Sequence, residues 1–391
     1  MSTANLNTQT QAARLPLAGV RVIEFTHMVM GPTCGMILAD LGAEVIKIEP
    51  PGGDKTRNLP GLGIGFFRSF NRNKKSVVLD INTQEGSAAA VELIGQCDVM
   101  LENFRPGLMQ KLGLDYATLA QRYPHLIYVS HKGFLPGPYE NRLALDEVVQ
   151  MMGGLSYMTG PAGRPLRAGT SVNDIMGGMF GAIGVLAALR ERETSGRGQE
   201  VQSALFENCV FLSAQHMQQY AMTREAPPPM PSRVSAWSVY DVFTLAEDEQ
   251  LFIGAVSDKQ FVTLCEVIGC PDLAREPQYA TNAARVALRP ELLARLGDVL
   301  KTHHSATLMP RLEAAGVPYA PIVRPDQLLD DPHLKASGGL VPMQTDDGGE
   351  TEVVLLPLMM DGRRPGVRQP LARVGEHTEE VLARLGAHLP V

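Results

Sequence analysis

The chain has 391 residues, 45% of them hydrophobic and 20% charged, which is enough apolar material for two or three domain-sized cores. Its net charge of -7 argues against a general nucleic-acid surface but leaves room for local basic clusters that hold a phosphorylated small molecule. Five cysteines without CxxC spacing give neither a disulfide framework nor a zinc site, which fits a reducing, cytoplasmic compartment.

Residues 1–14 are polar and lack the apolar core of a secretory signal, so they are expected to form a disordered leader. VRVIEF, Val20 to Phe25, predicts a strand; Gly31 to Leu41 predicts a helix, and Ala43 to Glu49 a second strand. That is a βαβ unit, which implies a parallel sheet with a right-handed crossover. Strands at Ser76 to Ile81, Cys97 to Phe104 and Leu126 to Lys132, with a helix at Gln84 to Gly95, continue the alternation. The expected fold class is therefore α/β, doubly wound. The glycines of GLGIG, 61–65, follow no strand and read as a loop.

A long helix is expected from Asp174, with Ile175, Met179, Ile183, Leu186 and Leu189 at helical spacing. Gly177, Gly178, Gly181 and Gly184 lie among them, each costing about 1 kcal/mol relative to alanine in a helix. Four so close together require a close neighbour: another helix, a partner subunit or a ligand. Arg190, Arg192 and Gly196 make a favourable helix end. The prolines of 226–231 predict a stiff linker. Beyond it, strands at Tyr240 to Leu245 and Leu251 to Val256 precede helices at Lys259 to Ile268, Pro290 to Thr302 and Ala306 to Ala315. Gly375 to Leu385 predicts a terminal helix. The expected division is a leader at 1–14, a large α/β domain at 15–200, a linker at 201–235, a small α+β domain at 236–325, and a return segment at 326–391 that rejoins the large domain. No uninterrupted apolar run is long enough for a bilayer, and no membrane or nucleic-acid partner is expected.

The first βα turn, His27 to Pro32, lacks GxGxxG, and no P-loop, HExxH or GxSxG occurs. Basic residues instead recur in successive β–α connections: Lys55 and Arg57, Arg72, Lys74 and Lys75, Arg105, and Lys132. Loops at strand carboxyl ends converge on the ligand crevice of an open α/β sheet, and cations gathered there suit phosphate groups. Asn103 and Phe104 add an amide and an aromatic platform. By spacing alone Asp174 is either a helix N-cap or a nucleophile held near a ligand by small neighbours.

The segments PLAGVRVIEFTHMVMGP, LGAEVIKIEPPGGDKTR, NRNKKSVVLDI, DVMLENFRPG, the Asp174 helix ending TSGRGQ, and GEHTEEVL resemble, in order and spacing, the class III CoA-transferases, which include formyl-CoA and carnitine CoA-transferases. The resemblance implies a Rossmann-like large domain built from both chain ends, a smaller inserted α+β domain, and an interlocked homodimer. It implies that Asp174 is the catalytic nucleophile, held ionised by the helix end. It also implies CoA contacts at Met28, Val29, Met30, Lys74, Asn103, Phe104, Lys111, Leu112 and Lys132. An arginine used by some relatives is replaced by Pro50, so Arg57 or Arg72 is expected to compensate. No bound cofactor is implied; CoA and acyl-CoA are substrates.

The activity so implied is transfer of CoA from an acyl-CoA, succinyl-CoA by preference, to a small carboxylic acid through aspartyl anhydride and aspartyl-CoA thioester intermediates. Arg164, Arg167 and Arg233 are candidates for a second carboxylate. PPPMPSRVSAWSVYD lacks the glycine run of the formyl-CoA enzymes, which argues against oxalate specificity. The alternatives are an α-methylacyl-CoA racemase and a non-catalytic acyl-CoA-binding relative. Against the racemase, Leu145 stands where a GHD-type segment carries its proton-transferring histidine.

Overall fold

A computed structural model describes residues 15–233 and 235–385. The expected leader at 1–14 lies outside the described residues, as does the end of the return segment, 386–391. The chain divides into two compact units, one formed by residues up to Pro231 together with those from Pro332 onward, the other by Ser232–Asp331.

The first unit opens with β1 (Arg21–Phe25), α1 (Met30–Asp40), β2 (Glu44–Glu49), α2 (Ile64–Phe70), β3 (Lys74–Val78), α3 (Gln84–Gly95) and β4 (Val99–Glu102). It continues with α4 (Leu108–Lys111), α5 (Tyr116–Arg122), β5 (Ile127–Lys132), α6 (Asp146–Met152), α7 (Leu155–Thr159), α8 (Val172–Ser195), β6 (Glu200–Ala204) and α9 (Leu205–Thr223). The second unit holds β7 (Val239–Thr244), β8 (Gln250–Ala255), α10 (Asp258–Ile268), α11 (Pro271–Arg275), α12 (Asn282–Ala287), α13 (Arg289–Leu300), α14 (Ser305–Ala315) and β9 (Tyr319–Pro321). Back in the first unit lie α15 (Pro332–Ala336), β10 (Leu340–Gln344), β11 (Glu350–Val354) and α16 (Thr378–Ala383).

The main sheet is parallel throughout, in the order β3-β2-β1-β4-β5-β6. Its strands are buried on both faces, so Ile23, Ile46, Val77 and Met100 pack against α3 on one side. Val22, Val45, Val99 and Val129 pack against α1 and α8 on the other. The strand order reverses between β1 and β4, which puts a crevice outside their carboxyl ends. In the second unit β7, β8 and β9 form a three-stranded antiparallel sheet over its own core of Phe261, Leu292, Leu296 and Leu308.

Four expectations change. Residues 201–235, expected as a linker, hold β6 and the long helix α9; only the proline-rich end is irregular. Phe211, Met217 and Met222 of α9 are exposed, so its sequence carries no clean one-sided apolar stripe to announce a helix. The 61–65 segment is not a plain loop but leads through a short 3-10 turn into α2. The third strand starts at Lys74, earlier than expected, because the lysine's charge is met by a buried carboxylate. Finally, α8 begins at Val172, so Asp174 sits inside its first turn.

The glycines of α8 face neighbouring elements of the same chain. A Cβ on Gly178 would lie 2.6 Å from the Met30 carbonyl oxygen and 2.6 Å from Thr33 Cβ. On Gly177 it would meet Met30, on Gly181 His131, and on Gly184 Val201. The stripe is therefore the seat of α1 and of strands β5 and β6. Val172–Ser195 is long and apolar enough by composition to cross a membrane, but this face is occupied by protein. Gly178→Ala should cost about 1–3 kcal/mol, because its obstacle is backbone rather than a side chain that can turn away. Gly297→Ala, in α13 with nothing within 4 Å, should instead stabilise by about 1 kcal/mol. Urea denaturation of both variants checks the sign difference.

Candidate active site

At the carboxyl end of β1 the chain turns through His27 and Met28, and at the end of β4 through Asn103 and Phe104. Asn103 stitches the two turns together: its Oδ1 accepts the His27 N–H at 3.0 Å and its Nδ2 donates to the His27 carbonyl at 2.8 Å. Met28 is held at φ 63°, a left-handed conformation uncommon for a side chain of this size, while its N–H donates to Thr56 Oγ1 at 3.2 Å. Asn103 is thus a structural clip between the two turns.

Two cavities meet at these turns. The larger, about 510 Å³, is bounded by Met28, Phe104, Leu112, Lys55, Asp80 and Asn82. The second, about 310 Å³, contains Asp174, with Arg105, Lys132, Arg142, Leu145 and Asp146 in its wall. His27, Met28 and Phe104 belong to both walls. Together they form an extended recess with the carboxylate in one branch.

The structure brings together only part of the expected set. Met28, Met30, Asn103, Phe104, Arg105, Lys132 and Asp174 line the second cavity, and Leu112 lines the first. Val29 is buried and lines neither, and Lys111 is exposed on α4 outside both. Three expected phosphate-binding cations are buried instead. Arg72 Nη2 lies 2.6 Å from Asp40, Lys74 Nζ lies 2.9 Å from Glu24, and Arg57 bridges Glu49 at 2.7 Å and Asp346 at 2.6 Å. Their partners come from neighbouring strands, from α1 and from the returning chain, so sequence position alone could not pair them. Burial, against the opposing pull of Glu24, brings the Lys74 ammonium down to about 8. Of the other arginines, Arg167 pairs with Glu147, and Arg164 lines neither cavity.

Asp174 is not the cap of its helix. Asp146, the first residue of α6, does that work from outside: its Oδ2 accepts the N–H of Asn173 at 2.8 Å and of Asp174 at 3.1 Å. Gln150 donates to the other oxygen of Asp146, so the capping carboxylate is locked in place. Only its place beside Leu145 and one turn before Gln150 hinted at this role. The expectation that the helix end keeps Asp174 ionised is also reversed. Burial, then the neighbouring charges of Asp146 and Glu147, push its carboxyl up to about 7. The N–H groups of Asn173 and Asp174 at the start of α8 are thus already engaged by Asp146. His131 is buried nearby, its ring facing Gly181, and burial lowers it to about 4, so it is neutral at physiological pH.

The site can thus present a poised carboxylate at the edge of a recess that has an aromatic and methionine wall and exposed cations. A family model described as CoA-transferase family III matches residues 17–378. Succinate–glutarate CoA-transferase of Agrobacterium fabrum is 34% identical over 383 residues, covering 95% of this chain and 96% of the relative. Succinyl-CoA:mesaconate CoA-transferase of Haloarcula hispanica is 35% identical over 389 residues, covering 95% and 96%. Acetyl-CoA:oxalate CoA-transferase of Acetobacter aceti is 37% identical over 334 residues, covering 83% and 85%. The crystal structure of a CAIB/BAIF family protein from Brucella suis superposes with a TM-score of 0.86 at 32% identity, over 95% of this chain and 100% of that one.

Proposed function

The chain belongs to CoA-transferase family III and is a CoA-transferase, and from that premise we propose that it moves CoA from succinyl-CoA to a small dicarboxylic acid with Asp174 as covalent nucleophile. The observation that carries this reading is the shared wall: Asp174 lies in a cavity that has His27, Met28 and Phe104 in common with the larger recess at the strand ends. In this reading the acyl-CoA would span the two branches, with its thioester in the branch of the carboxylate. The relatives named for succinyl-CoA, succinate, glutarate and mesaconate support the substrate class.

In this reading a carboxylate oxygen of Asp174 attacks the thioester carbonyl, the C–S bond breaks, and CoA leaves as thiolate. The thiolate then attacks the aspartyl carbonyl of the mixed anhydride, expelling the donor acid and leaving an aspartyl-CoA thioester. The acceptor carboxylate attacks that thioester, expelling CoA thiolate and forming a second mixed anhydride. The thiolate then attacks the acceptor carbonyl of that anhydride, forming the acceptor-CoA thioester and freeing the Asp174 carboxylate. Splitting the exchange lowers each barrier, and no proton needs to be moved. The half-buried Lys132 and the exposed Arg105 are the cations that would meet CoA phosphates, with Phe104 and Met28 as the apolar wall. Leu145, exposed at the start of α6, offers no group for racemase chemistry.

Incubation with succinyl-CoA should yield a mass increase of one CoA on the peptide holding Asp174, removable by hydroxylamine. Unmodified peptide alongside full transfer activity would sink the covalent reading.

The protein is further proposed to act in the cytoplasm as an interlocked homodimer. Met179, Ile183 and Leu186 of α8 and Phe211, Met217 and Met222 of α9 are exposed apolar side chains on two adjacent helices, the kind of surface a subunit covers. Light scattering should give twice the chain mass, with Phe211→Glu shifting it toward the monomer; a monomeric wild type would overturn the assignment.

A further inference from the structure

Arg142 lies in the wall of the cavity that holds Asp174, close in sequence to Asp146, the carboxylate that grips the start of α8. It is exposed, and among the described residues its guanidinium meets no carboxylate. The acids nearby are otherwise engaged: Asp146 takes the helix N–H groups, and Glu147 takes Arg167. Aromatic rings hold the guanidinium instead. Its central carbon lies 4.9 Å from the ring centre of Tyr139 and 5.9 Å from that of Phe134. Phe206 packs on both rings, at 6.4 and 5.5 Å, so the support is itself fixed.

No hydrogen bond or ion pair joins Arg142 to Asp174, and the same wall carries the apolar side chains of Leu143 and Leu145. A carboxylate nucleophile, an apolar stretch and an unpaired guanidinium in one small cavity match an acid with two carboxylates separated by methylene groups. The planar fork of arginine binds a carboxylate through two parallel hydrogen bonds, which a lysine cannot reproduce.

We propose that Arg142 binds the distal carboxylate of the acid being exchanged and so selects dicarboxylates over monocarboxylates at this site. The proposal rests on the transferase reading above. It assigns to Arg142 the role that Arg164, Arg167 and Arg233 were expected to compete for.

The test uses the full chain with acetyl-CoA as donor, so that the donor acid has no second carboxylate, and glutarate or butyrate as acceptor. Arg142→Met should raise the glutarate KM about 10-fold or more, since one tenfold step corresponds to about 1.4 kcal/mol of binding. It should leave the butyrate KM and the kcat at saturating glutarate within about 3-fold, and Arg142→Lys should recover only part of the glutarate affinity. Equal effects on both acids, or no effect on either, would overturn the assignment. If wild type transfers CoA to neither acid from acetyl-CoA, and not to glutarate from succinyl-CoA either, the transferase reading has failed by itself. Calorimetric binding of glutarate then decides for Arg142: weakened binding in Arg142→Met upholds the contact, and unchanged binding removes it.

Discussion

Asp174→Ala should reduce CoA transfer by about 10⁴-fold or more, the scale seen when a covalent nucleophile is removed, and should abolish the CoA adduct. The same variant should be more stable than wild type at pH 8. The sign follows from the raised carboxyl. The unfolded chain releases this proton near pH 3.8 and the folded chain only near 7, so between those values the folded state holds more protons. Stability therefore falls as pH rises through that window, and the full penalty applies above it. After discounting for partial exposure, the penalty is on the order of 2 kcal/mol. Thermal melts of wild type and variant should diverge from pH 5 to pH 8 in the variant's favour. In the wild type, kcat/KM should fall as pH drops below about 7, because the attacking group must be ionised. A residue kept for structure would show the opposite pairing: little loss of activity and a loss of stability.

Arg72→Met should destabilise the protein by about 3–5 kcal/mol while leaving the KM for acyl-CoA unchanged. Arg72 and Asp40 are both fully buried, and the guanidinium makes three hydrogen bonds to the carboxylate. Burial pushes the Asp40 carboxyl up even with Arg72 opposing it, so removing the cation leaves a charge that the site cannot hold. Asn73 still donates to Asp40 at 2.7 Å, which is why Arg72→Met combined with Asp40→Asn should recover most of the loss. Denaturant titration and steady-state kinetics together separate this outcome from the role first expected of Arg72. A raised KM at unchanged stability would mean that the guanidinium serves the ligand after all.

These two residues show what a sequence carries and what it withholds. Strand after strand was legible, because VRVIEF or AEVIKIE can be little else between turn residues. Asp174 drew attention through its setting among glycines; of the neighbours weighed for them, a helix, a partner subunit or a ligand, it is helix α1, with strands β5 and β6, that they meet. The cations were legible as charges but not as partners. Arg72 and Asp40, or Lys74 and Glu24, are brought together only by strand order and by burial of α1. Arg142 and Asp146 flank Leu145 in the stretch matched to a GHD-type segment, where only the missing histidine was read; Arg142 takes its meaning from the cavity and Asp146 from the helix start it caps. The helix α9 was lost because its apolar side chains point several ways, and a proline-rich stretch follows it.

The reciprocal bond between Asn103 and His27 has an evolutionary consequence. By tying the β1 and β4 turns into one lip, it makes the wall common to both cavities independent of the 142–145 segment that borders only the second. On the proposed assignment of Arg142, mutations in that segment would retune which acid is accepted and leave the shared wall as it is. Such separation lets one scaffold diversify by short substitutions, and it marks positions 142, 143 and 145 as the natural targets for redesigning the exchange.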